Sequence, residues 1–118
     1  MHRFKDLEIW KQSRVLCSDI YSITSSFPDS EKFGLTNQLR RASVSVPSNI
    51  AEGSARNSNK DFNRFLDIAL GSAYEIETQL LIATDLNFTS PNEIETVLDK
   101  LHVIVKMMTR FKTTLVSS

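Results

Sequence analysis

Between Ile94 and Leu115 the apolar residues fall at Ile94, Val97, Leu101, Ile104, Met108, Phe111 and Leu115, at intervals of 3, 4, 3, 4, 3 and 4. A helix turns about 100° per residue, so this rhythm holds the side chains on one narrow stripe; a strand, with its period of two, cannot use it. The segment also opens like a helix: in SPNE, Ser90 suits the N-cap, Pro91 the first turn, and Glu93 completes a capping box. A second stripe runs Phe62, Leu66, Ala69, Ala73, Ile76, Leu80, Ala83, at intervals of 4, 3, 4, 3, 4 and 3. Ser58 and Asp61 precede it as a weaker box. A helix with a single long seam must bury it against other helices.

Two more helices are expected. One runs from about Asp6 to Ser25, with Ile9, Leu16, Ile20, Ile23 and Phe27 on one stripe and Leu7, Trp10, Cys17 and Tyr21 beside it. FPDSEKFG ends it: Pro28 cannot continue a helix, and Asp29 and Ser30 suit a turn or a new N-cap. The other contains the run RRASVSVPSNIAEGSAR, whose VSV reads briefly as a strand. Leu35, Leu39, Ala42, Val46, Ile50 and Gly53 nevertheless keep helical phase across Pro47. Sustained periodicity outweighs short strand propensity, so a helix from roughly Leu35 to Ala55 is expected, kinked at Pro47. The proline removes the donor to the Ser43 carbonyl, at about 3 kcal/mol in an unadapted site. Ser43, a neighbour or water must then satisfy that carbonyl.

Four amphipathic helices with short connections predict an all-α, antiparallel up-down-up-down four-helix bundle, one domain over residues 3–116. The 118 residues suffice for a core without staples, and only three Gly and three Pro fit long elements with few turns. A single cysteine, Cys17, rules out an internal disulfide. MHRFKDLEIW carries charges where a signal peptide needs an apolar run, and no stretch approaches the ~20 apolar residues of a membrane span. A cytoplasmic protein without a membrane partner is expected.

Catalytic patterns are missing. His2 and His102 stand alone, and neither HExxH, CxxC, GxSxG nor a phosphate loop occurs. A di-iron bundle would need ExxH pairs. Cys17 reads as core. The expectation is no enzyme, no metal, no cofactor and no small-molecule substrate.

Helices two and three carry apolar residues beyond their seams. Val44, Pro47, Ala51 and Ala55 lie together on the second; Leu70, Tyr74 and Leu81 lie on one side of the third, Ile68, Ile82 and Leu86 on another. Gly71 faces away from the seam and costs about 1 kcal/mol relative to Ala, a sign that another backbone approaches it. A helix apolar on several sides is normally buried on several sides. Self-association is therefore expected, with Val44, Pro47, Ala51, Leu70, Gly71 and Tyr74 at the interface; the competing reading is a thick single core with ordinary exposed apolar residues.

Lys plus Arg and Asp plus Glu are 14 each, but residues 1–60 hold 9 basic and 6 acidic side chains while residues 61–118 hold 5 and 8. Arg40, Arg41, Arg56, Lys60 and Arg64 gather around the second helix and the start of the third. They have two uses: phosphate contacts with structured RNA, or salt bridges to Glu52, Asp61, Asp67 or a second subunit. Asn49 lies beside the core stripe and reads as a polar tie between helices, or with Glu52 and Arg41 as part of a binding site. Glu75 and Glu77, two apart on a helix, point apart and cannot share a proton; they read as ties, with Arg40, Arg41, Arg56 and Arg64 as candidate mates.

QLRRASVSVPSNIAEGSAR followed by FLDIALGSAYEIETQL closely resembles the family of 23S rRNA intervening sequence proteins, and FKDLEIWKQSRVL and FPDSEKFGLTNQLRRA fit it as well. The resemblance covers about residues 3 to 115. It implies an antiparallel four-helix bundle, assembly into a five-fold barrel, and, from a ribosomal-protein label in part of the family, an RNA or RNA-handling partner. The accessory proteins of diversity-generating retroelements are similar in fold and are thought to bind nucleic acid through a basic surface. The family pattern falls on Gln38, Arg40, Arg41, Pro47, Asn49, Glu52, Gly53, Arg56, Phe65, Leu66, Gly71, Glu75 and Glu77. This chain departs from the strongly basic relatives: it is neutral, and Glu93, Glu95 and Asp99 open its fourth helix.

Overall fold

The computed structural model of the chain describes residues 2–117, with side chains through Val116. Its helices are α1 (Glu8–Thr24), α2 (Leu35–Ser54), α3 (Asn59–Asp85) and α4 (Pro91–Ser117), with short 3-10 turns at Phe4–Asp6 and Asp29–Glu31. Packing runs α1–α2–α3–α4 and back to α1, with no pairing across the diagonals among the described residues. With short connections, this cycle is an antiparallel up-down-up-down bundle. The long axis of 46 Å follows from α3 and α4, each about 40 Å long at ~1.5 Å per residue.

Every stripe residue of α2 and α3 is buried, and on α4 Phe111 alone is half-buried. The stripe of α1 differs from expectation. Ser13 and Thr24 are buried with Ile9, Leu16 and Ile20, while Ile23 stays half-exposed. The two hydroxyls donate to the carbonyls of Ile9 and Ile20, four residues back, which lets a small polar side chain sit in a core stripe.

The spacing predicts the first helix from Asp6; it starts at Glu8, because Leu7 is extended (φ −80°, ψ 125°) and separates α1 from the Phe4–Asp6 turn. Asp29 and Ser30 do not cap α2. Glu31 does: its Oε1 accepts from the Leu35 amide at 3.0 Å. The expected caps of the later helices form, the Asp61 amide donating to Ser58 Oγ at 3.1 Å and the Glu93 amide to Ser90 Oγ at 3.3 Å. The Glu93 carboxylate, however, takes the Thr89 hydroxyl at 2.9 Å, so that box is only half built.

α2 continues through Pro47 as one element. The Ser43 hydroxyl is not the group that satisfies its own freed carbonyl; it donates to the Arg40 carbonyl at 2.8 Å and meets Cys17 Sγ at 3.5 Å. α2 and α3 approach closely at Gly53, where a Cβ would lie 2.7 Å from Phe62 Cδ1 and 2.8 Å from Phe65 Cβ. Gly71, by contrast, has nothing within 4 Å of the corresponding position. No helix is long and apolar enough to cross a membrane among the described residues.

Candidate nucleic-acid interface

The five candidate cations divide into two groups. Arg41 projects from the outer face of α2, and Arg40 turns toward α1. Arg56, Lys60 and Arg64 lie at the α2–α3 turn, about 20 Å further along α2 at ~1.5 Å per residue. Helix geometry separates what looks in the sequence like one cluster.

Arg40 is half-buried. Its Nε donates to Thr24 Oγ1 at 2.9 Å, its Nη2 to the Tyr21 carbonyl at 3.4 Å, and its Cζ lies 4.6 Å from the centre of the Tyr21 ring. Neither hydrogen bond is to an acid, so the guanidinium is held rigidly with its charge uncompensated. Arg41 is exposed and has no hydrogen-bond or ion-pair partner among the described residues. The expected pairing of Glu75 and Glu77 with these arginines is therefore wrong within the chain. Glu75 Oε1 accepts from Gln79 Nε2 at 3.1 Å, and Glu77 Oε2 meets His102 Nε2 on α4 at 3.2 Å. The physical reason is rotational: Gln79 lies one turn along α3 from Glu75, and Glu77 lies on the α4 side.

At the turn, Arg56 and Arg64 both lie over Phe65, with Cζ 4.6 Å and 5.5 Å from the ring centre. Ring faces attract cations, and this arrangement fixes two guanidiniums near each other. Arg64 also meets Asp61 at 3.7 Å. Lys60 is exposed without a partner among the described residues, and Asp67, an expected mate, pairs with Lys112 of α4 instead. Three cations thus face one close carboxylate. Sequence reasoning misses Phe65 as the organiser of this group; its place in the family pattern and its i+1 relation to Arg64 are the available signals.

The polar tie between α2 and α3 is real but is not made by Asn49 directly. Ser45 Oγ and Ser72 Oγ share a hydrogen bond of 2.8 Å. Asn49 Nδ2 donates to the Ser45 carbonyl at 2.8 Å and to Ser45 Oγ at 3.0 Å, within its own helix. A second tie joins Gln79 Nε2 to Gln38 Oε1 at 3.2 Å, and the buried Gln79 Oε1 has no partner among the described residues. Glu52 is exposed and ties nothing among the described residues.

Of the expected interface residues, Val44, Gly71 and Tyr74 are exposed, and Pro47, Ala51 and Leu70 are half-buried. Leu81, Ile82, Ile68 and Leu86 of α3 are also exposed. Among the described residues no group of three or more His, Cys, Asp or Glu is arranged to hold a metal ion.

Comparison with known proteins bears on the same residues. A solved structure of a protein of unknown function from the S23 ribosomal protein family, from Bacteroides thetaiotaomicron VPI-5482, superposes with a TM-score of 0.79 at 22% identity, covering 88% of this chain and 97% of that one. At that identity it speaks for the fold alone. No curated protein matches the chain. The family described as 23S rRNA-intervening sequence protein matches residues 5–110, a span that holds all five cations and both polar ties. The chain belongs to that family.

Proposed function

We propose that this chain is a non-enzymatic, homo-oligomeric bundle of the cytoplasm that binds structured RNA through its arginines. One observation carries the reading: of Arg40, Arg41, Arg56, Lys60 and Arg64, only Arg64 meets a carboxylate among the described residues. Contacts to nucleic-acid phosphates come largely from Arg and Lys side chains, and a cation not already engaged by a carboxylate is available to make them. The family's description refers to 23S rRNA, which supports ribosomal RNA as the partner. Self-association, a pentamer by family resemblance, would repeat the two basic groups on every subunit. It would also cover Gly71 and Tyr74, which are exposed on α3.

Titration of the purified protein into labelled structured RNA at two salt concentrations tests this. The expected result is micromolar or tighter binding that weakens steeply with salt. The double variant R56A/K60A should flatten the salt slope by about one unit for each phosphate it no longer neutralises. Absence of binding at low salt would leave the second reading, a structural or protein-interaction module, which the Arg64–Asp61 pair favours.

A further inference from the structure

The outer face of α2 and the adjacent side of α1 border an open recess of about 580 Å³. Tyr21, Asn37, Arg40, Arg41, Val44, Ser45 and Ser48 line it, and no carboxylate does. Its volume is in the range of small-ligand sites, about 300–1,000 Å³. Three of its polar groups, Asn37, Arg41 and Ser48, have no partner among the described residues. Ser45 is engaged by Ser72 and Asn49, and Arg40 is locked by the Thr24 hydroxyl, the Tyr21 carbonyl and the Tyr21 ring. The recess therefore offers a flat, rigid cation at one wall and a free guanidinium at the rim. An occupant that uses both is planar and anionic.

We propose that this recess takes one unpaired nucleotide of an RNA strand, its base stacked on the Arg40–Tyr21 pair and its phosphate on Arg41. The proposal rests on the RNA-binding reading above and adds to it a second mode of binding, separate from the α2–α3 turn. Bases in a duplex are stacked on each other and cannot enter a pocket, whereas unpaired bases stack readily on aromatic rings and guanidinium planes. Asn37 and Ser48 supply an amide and a hydroxyl for the base edge or the ribose. At the turn, by contrast, Arg56, Lys60 and Arg64 are exposed, a surface suited to backbone phosphates.

The test uses a labelled single-stranded RNA about ten nucleotides long and an abasic strand of the same length. The base-bearing strand should bind about tenfold more tightly, in keeping with one stacked base. R40K keeps the charge but loses the plane, so it should erase that preference. Y21L, at a position 42% exposed, should do the same without unfolding the bundle, and R56A/K60A should weaken both strands and keep the preference. Equal affinity of the wild type for both strands, or a preference untouched by R40K and Y21L, would overturn the recess while leaving phosphate binding at the turn in place. Wild type that binds neither strand and no structured RNA would remove both readings. Free adenosine monophosphate competing as well as the strand would overturn the assignment to RNA.

Discussion

Glycine has opposite meanings at positions 53 and 71. Gly53 sits where α2 and α3 touch, and a methyl group there would overlap the Phe62 ring and Phe65 Cβ. The Phe62 ring is buried and Phe65 Cβ is tied to backbone, so neither can move far. G53A should lower stability by about 1–3 kcal/mol, the usual cost of overpacking, as read by urea denaturation. G71A should instead leave the bundle unchanged or stabilise it by up to about 1 kcal/mol, because it removes a helix-interior glycine in open space. Equal effects at the two sites would contradict this packing. The sequence stripe already contains Gly53, but a stripe cannot tell a small residue that fills a gap from one that permits a close approach. That distinction depends on Phe62 and Phe65, which come from the other helix.

At the level of elements, helix ends carry most of the differences from expectation. The α3 and α4 caps are legible because Ser58 and Ser90 act over three residues on their own helices. The cap of α2 is not, since Glu31 belongs to the preceding turn and reaches forward to Leu35. E31A should lose this bond and lower stability by about 0.5–2 kcal/mol, the range for capping residues, measurable as a shift in the thermal or urea midpoint; no shift would mean that water replaces the carboxylate at no cost. The end of α3 escapes the sequence for a similar reason. Asn87 adopts φ 63°, and the amides of Asn87 and Phe88 return to the Thr84 and Ala83 carbonyls at 3.0 and 2.9 Å. A left-handed residue, usually glycine and sometimes asparagine, commonly ends a helix with amides that turn back in this way. Phe88 then packs on Phe27 with ring centres 5.8 Å apart, joining the two loops at that end of the bundle.

For the whole molecule, the outer face of α3 is exposed in the single chain. Tyr74 and Leu81 are 57% and 47% exposed, and Gly71 leaves room above the backbone. On the self-association proposed above, G71L should lower the mass in sedimentation or light scattering while circular dichroism keeps its helical signal. A wild-type mass of one chain at micromolar concentration would refute that proposal. The sequence by itself determined four helices, the buried stripes of α2, α3 and, but for the half-buried Phe111, α4, and the antiparallel order, because a 3.6-residue period and short connections leave a chain few other ways to cover its apolar faces. It also singled out the arginines one by one. Only the tertiary structure decided how they group: Arg40 goes to Tyr21 and Thr24, Arg41 has no partner among the described residues, and Arg56 and Arg64 meet over Phe65. Periodicity fixes which side of a helix is buried, but the neighbours of a side chain depend on how the helices are rotated and shifted against one another. That is set by pairs of residues distant in sequence, such as Ser45 with Ser72 and Gly53 with Phe62.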